Sequence, residues 1–132
     1  MKVLGIGVDV IKNKRVKSLI NNRRFISRTF SKNEIKFSKK ILKKINYFSK
    51  RFAAKEALVK ALGTGFRNNL CFRDISILND KKGKPYFLFN KKIKDILKKK
   101  YKLNSFKAHL SLSDEKKHSV SYVVLQKFKW KK

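Results

Sequence analysis

The segment Tyr47-Phe48-Ser49-Lys50-Arg51-Phe52-Ala53-Ala54-Lys55-Glu56-Ala57-Leu58-Val59-Lys60-Ala61-Leu62 decides how the rest of the chain folds. It is rich in Ala and Leu, and no Gly or Pro interrupts it, so a helix is expected over 47–62. Gly63 follows directly and suits the cap that ends many helices. Phe48, Phe52, Val59 and Leu62 make one apolar stripe, and Ala54, Leu58 and Ala61 make a second. A helix apolar on two sides needs cover on two sides, which puts it at the centre of the fold.

The cover is supplied from both directions. Val3 to Ile11 (VLGIGVDVI) reads as a strand, with Leu4, Ile6, Val8 and Val10 on one face and Val3, Gly5, Gly7, Asp9 and Ile11 on the other. Residues 14–20 and 23–30 read as short basic helices. Ser31 with Glu34 makes a capping box, so a further helix is expected from there to about Lys44. After the central helix, 72–78 and 85–89 alternate as the strands of a hairpin around the turn Asn79 to Lys84. A basic helix is expected over 91–102, and a second hairpin over 106–113 and 118–125. No repeat or linker interrupts this order. Residues 1–132 read as one domain of class α+β, an antiparallel sheet packed against a long central helix and shorter helices.

The chain has 132 residues, with 37 Lys and Arg against 8 Asp and Glu, a formal net charge of +29. With 42% apolar residues and 11 Phe it can bury a modest core, which excludes a disordered tail. The longest stretch without a charge, His118 to Gln126, is about half of the roughly 20 residues a membrane span needs. No apolar segment follows the basic start, so a secretory signal is not expected. One cysteine, Cys71, excludes an internal disulfide framework and fits a reducing compartment.

A charge of +29 points first to a polyanion partner, as in a basic nucleic-acid or ribosome-binding module. The composition argues against reading it only so. Lys occurs 30 times and Arg 7 times, although Arg is the better residue for bidentate phosphate and base contacts. Residues with A/T-rich codons (Lys, Asn, Ile, Phe) outnumber those with G/C-rich codons (Ala, Gly, Pro, Arg) by 62 to 18, as a biased genome would produce. The acids are the rare objects, and their positions carry more information.

Asp9 lies within an otherwise apolar strand, with Gly5 and Gly7 on its own face. A buried carboxylate needs a partner, and the glycines leave room for a ligand or another backbone. The other reading is a strand-end Asp capping the next turn. Glu56 is the single acid of the central segment, and Lys60 stands one turn on. The two make either an ordinary surface ion pair or one wall of a cleft. A carboxylate from a strand and one from a helix can hold Mg²⁺, and a nearby lysine can neutralise a phosphate. Gly63 and Gly65 let backbone N–H groups approach an anion, and Gly83-Lys84-Pro85 makes a tight turn able to do the same or simply to turn. His109 and His118 read as structural strand residues.

These residues resemble the holo-acyl-carrier-protein synthases, a family of 4′-phosphopantetheinyl transferases. Gly5-Ile6-Gly7-Val8-Asp9 with Arg15 is similar to the family's N-terminal signature. Arg51-Phe52-Ala53-Ala54-Lys55-Glu56-Ala57 followed by Lys60-Ala61-Leu62-Gly63-Thr64-Gly65 is similar to its central one. The resemblance implies transfer of the phosphopantetheine arm of coenzyme A to a serine of apo-acyl carrier protein, with adenosine 3′,5′-bisphosphate as the other product. It implies that Asp9 and Glu56 hold Mg²⁺, and that Glu56 and Lys60 are catalytic, Glu56 acting as base directly or through a water it orients. Coenzyme A would meet Arg51, Lys55, Lys60, Gly63, Gly65, Lys84 and Pro85. The acidic carrier would meet Arg15, and by extension Arg23 and Arg24. A homotrimer in the cytoplasm, without a membrane or specific nucleic-acid partner, completes the expectation. Many members have His where this chain has Asp114, so no role is carried over to that position.

Overall fold

The computed structural model describes residues 2–63, 71–100, 102 and 105–127. In order these form β1 (Lys2–Lys12), α1 (Asn13–Leu19), α2 (Arg23–Thr29), α3 (Lys32–Ser38), α4 (Lys44–Leu62), a 3-10 turn (Phe72–Asp74), β2 (Ile75–Asn79), β3 (Pro85–Phe89), α5 (Lys91–Lys100), β4 (Phe106–Asp114) and β5 (His118–Lys127). All pairing among the described residues is antiparallel. One sheet has the order β1-β5-β4, and β2 and β3 form a separate hairpin. The architecture is the α+β arrangement expected.

α4 is buried on most of its circumference, as its two stripes require. Ala54, Ala57, Leu58 and Ala61 pack with Ile75, Ile77, Ile93, Leu97, Val123 and Leu125. Tyr47, Phe48 and Ala53 pack instead with Ile11, Val16 and Phe30. Gly63 ends the helix at φ 82°, donating its N–H to the carbonyls of Val59 and Lys60. This left-handed conformation favours glycine.

The capping box at Ser31 is present: the Ser31 hydroxyl accepts from the Glu34 N–H at 3.2 Å, and Glu34 Oε1 accepts from the Ser31 N–H at 3.0 Å. The helix it starts ends at Ser38, however, and not near Lys44. A turn follows, and α4 begins at Lys44, three residues before the expected start. Leu42 in that turn is fully exposed, so continuing the helix would gain no burial there. At the other end, the strand expected from Phe72 begins at Ile75, because Phe72–Asp74 closes a 3-10 turn in which the Asp74 N–H bonds the Cys71 carbonyl.

β1 lies on α4 almost backbone to backbone. A Cβ on Gly5 would stand 2.0 Å from the Ala61 carbonyl oxygen, and one on Gly7 would stand 1.8 Å from that of Ala57. The glycines on the inner face of β1 therefore admit the helix itself, which is the second of the two uses open to them.

Candidate active site

Two residues beyond Gly7, the same inner face of β1 presents Asp9. Its side chain is 17% exposed, and its Oδ1 lies 3.2 Å from the Lys60 ammonium. Lys60 also donates to the Val8 carbonyl at 3.0 Å. The expected Glu56–Lys60 pair is thus redirected: Lys60 reaches across to the strand. Glu56 is half-buried one turn back. Burial, and then the negative charge of Asp9, raise its carboxyl above the ordinary value, with Lys60 and Arg15 opposing. Asp9, Glu56, Lys60 and Arg15 therefore form one electrostatic cluster, drawn from β1, α4 and α1.

Among the described residues no three His, Cys, Asp or Glu side chains come together as a metal cage. Two carboxylates that repel each other are nonetheless a fitting partial site for Mg²⁺, which commonly takes one or two carboxylates and completes its shell with phosphate oxygens and water. Ser121 lies opposite Asp9 in the β1–β5 register. It is buried, and its hydroxyl has no hydrogen-bond partner among the described residues, so an unsatisfied oxygen flanks the pair.

A second group of residues gathers elsewhere. Arg51 is 5% exposed. Its guanidinium donates to the Ile77 carbonyl, the Tyr47 carbonyl and Asn79 Oδ1, and lies 3.8 Å from the centre of the Tyr47 ring. A cleft of about 330 Å³ opens beside it, bounded by Lys43, Lys50, Gly83, Pro85 and Asp114 among others. Asp114 accepts from Asn46 Nδ2 at 2.7 Å and pairs with Lys50 at 3.3 Å. The Asn46 hydrogen bond is the main reason its carboxyl lies below the ordinary value. Lys84 is exposed in the β2–β3 turn, where the Asp80 carboxylate accepts from its N–H. Arg51 and Lys60 are nine residues apart on α4, about 13 Å along the axis and on opposite sides of the helix. The residues expected around one ligand therefore form two groups on different faces of the same chain.

Lys55 requires a correction. Its side chain has no exposure, and its ammonium donates to Glu34 Oε1 at 2.5 Å, to the Thr29 carbonyl at 2.8 Å and to the Phe72 carbonyl at 2.9 Å. All three donors are used inside the protein, so Lys55 does not present a charge to coenzyme A. Its partner Glu34, also fully buried, accepts in addition from the Ile77 N–H at 3.1 Å. Reading Glu34 only as a helix cap missed this second role. A lysine on the apolar side of a helix was the available signal, since it implies a buried acid. Gly63 is exposed, Gly65 lies outside the described residues, and Arg23 and Arg24 are exposed at the start of α2.

Comparison with known proteins names the class to which this fold belongs. The sequence profile of the 4′-phosphopantetheinyl transferase superfamily matches residues 5–123. The holo-[acyl-carrier-protein] synthase of Pelagibacter ubique is 58% identical over 127 residues, 96% of this chain and 99% of that protein. The solved structure of the holo-[acyl-carrier-protein] synthase from Neisseria meningitidis matches with TM-score 0.86 at 35% identity, covering 96% of this chain and 100% of that one. That of the Bacillus anthracis synthase, in complex with CoA (3′,5′-ADP), matches with TM-score 0.80 at 31% identity, over 96% and 98% of the two chains. The chain belongs to the 4′-phosphopantetheinyl transferase superfamily and, within it, to the holo-[acyl-carrier-protein] synthases.

Proposed function

We propose that the protein transfers the 4′-phosphopantetheine arm of coenzyme A to a serine hydroxyl of apo-acyl carrier protein. The serine oxygen forms a bond to the phosphorus bearing the pantetheine arm, and the bond from that phosphorus to the bridging pyrophosphate oxygen breaks. Adenosine 3′,5′-bisphosphate leaves, and the serine proton passes to Glu56 or to a water that Glu56 orients. The observation that carries this reading is the Asp9–Glu56 pair beside Lys60. Asp9 and Glu56 would hold Mg²⁺, which when bound withdraws negative charge from the phosphate oxygens. Lys60 gives up its contact with Asp9 and neutralises the same phosphates. Burial and the charge of Asp9 raise the Glu56 carboxyl above its ordinary value, which suits a proton acceptor.

The proposed active unit is a homotrimer with sites shared between copies. Two features support it. The outer face of β1 exposes Leu4, Ile6, Val8 and Val10, with Tyr122 on the neighbouring strand, an apolar sheet face of the kind another chain covers. The two groups of expected ligand residues also lie on opposite sides of α4, so one bound coenzyme A would touch Asp9, Glu56, Lys60 and Gly63 of one copy and Arg51, Lys84 and Pro85 of the next. The free Cys71 fits a cytoplasmic setting. The test is to incubate the purified protein with Mg²⁺, coenzyme A and apo-acyl carrier protein. A phosphopantetheine mass gain on the carrier is expected, and its absence would overturn the proposal.

A further inference from the structure

A groove of about 1390 Å³ separates α1 from the turn between β4 and β5. Lys12, Lys14, Arg15 and Lys17 line one side, and Lys116 and Lys117 line the other. The walls are tied together by a buried residue. Asn13 donates its N–H to the Lys117 carbonyl at 2.8 Å and its side-chain amide to the carbonyls of Glu115 and Lys116, while its Oδ1 accepts from Ser119. These bonds hold the turn by its backbone and leave the two lysine side chains to the groove. Among the described residues no carboxylate lines it: the nearby Glu115 turns its Oε1 to the Lys117 N–H and to His118 Nδ1.

The groove opens at the end of β1, where Lys12 lines it three residues beyond Asp9. Arg15 lines it from α1, the element that follows β1 directly. Asn46 lines it as well and donates to Asp114 Oδ2 at 2.7 Å. An anionic partner seated here would lie at the end of the strand that carries Asp9. Among the described residues the lining has lysine stems and Ile45, and its one ring is His118, whose Nδ1 is paired with Glu115. Successive bases find no row of rings to stack on, which favours a polypeptide over a single-stranded nucleic acid. Arg23 and Arg24, the other arginines expected to meet a carrier, do not line it.

We infer that the β4–β5 turn is a docking element for the acceptor protein, with Lys116 and Lys117 gripping an acidic segment laid in the groove opposite Arg15. The inference rests on the transfer reading for the identity of the acceptor. Its test is direct binding of fluorescently labelled apo-acyl carrier protein to the full-length protein, measured by anisotropy. The Lys116→Glu/Lys117→Glu variant should bind at least about tenfold more weakly and with a shallower salt dependence. A control of equal charge change on α5, Lys98→Glu/Lys99→Glu, should bind as the wild type does. Equal binding by the turn variant, or an equal loss in the α5 control, overturns the inference. So does a turn variant that loses affinity for a labelled single-stranded RNA but keeps its affinity for the carrier. If the wild type binds the carrier but transfers nothing to it, the transfer reading fails, while the comparison of variants still decides the groove.

Discussion

Gly7 and Ala57 meet with no side chain between them: a Cβ on Gly7 would fall 1.8 Å from the Ala57 carbonyl oxygen. The obstacle is helix backbone, which cannot turn aside as a side chain can. The contact also sets the site, because it fixes the distance from α4 to the strand that carries Asp9 two residues later. Gly7→Ala should cost at least about 1–3 kcal/mol of stability. It should also lower transfer activity in whatever fraction still folds, by moving Asp9 away from Glu56. Chemical denaturation and the transfer assay read the two effects separately.

The raised Glu56 carboxyl predicts a response to charge removal. Asp9→Asn should bring its titration down, and added Mg²⁺ should do the same in the wild type, as followed by the Glu56 carboxyl resonance in NMR. The sign for stability follows from the direction of the shift. A raised carboxyl binds its proton more tightly in the folded state than in the unfolded one. Stability through Glu56 is thus present below its unfolded value and is lost as pH rises through the folded one. No change in the Glu56 titration on Asp9→Asn would remove the electrostatic link between them.

The buried Glu34–Lys55 pair should be costly to break from either side. Glu34→Gln leaves the ammonium without its counter-charge, and Lys55→Met does the same to the carboxylate; each should cost about 3–5 kcal/mol. The double variant should lose less than the sum, as a double-mutant cycle by denaturation would show. Burial, only partly offset by Glu34, lowers the Lys55 ammonium to about 8 from an ordinary 10.5. Between those values the unfolded chain holds more protons, so this group makes stability rise with pH there. Lys55→Met should flatten that rise.

A shared site predicts complementation. Glu56→Ala removes one group and Lys84→Glu disturbs the other, so each variant alone should be nearly inactive. Refolding the two together should return activity by forming some sites with both groups intact. Placing a charge on the exposed stripe, as in Ile6→Lys, should shift the protein to monomers in analytical ultracentrifugation and abolish transfer. Retained activity in a monomeric Ile6→Lys variant would show that one chain suffices.

Much of this was legible in the amino-acid order. The central helix, its glycine cap, the Ser31–Glu34 box and both hairpins follow from periods and turn residues that act over a few positions. The break between Ser38 and Lys44 was not legible, since it depends on whether Leu42 finds anything to bury against. The partner of Lys60 was not legible either. Sequence spacing pointed to Glu56 on the same helix, whereas the strand pressed against that helix brought Asp9 nearer.

By itself the sequence determined which groups carry charge where charge is expensive: Asp9 in an apolar strand, and Glu56 and Lys55 in a helix with two apolar stripes. Only the tertiary structure decided what each of them does. Lys55 and Glu56 are adjacent in the chain, yet about 100° of helical rotation directs one into the core and the other toward Asp9. Glu34, 21 residues before Lys55, neutralises the first, and Asp9, on a strand brought close by glycine, polarises the second. Local pattern specifies where a side chain sits on its own element. Its electrostatic partner is chosen by packing between elements far apart in the chain.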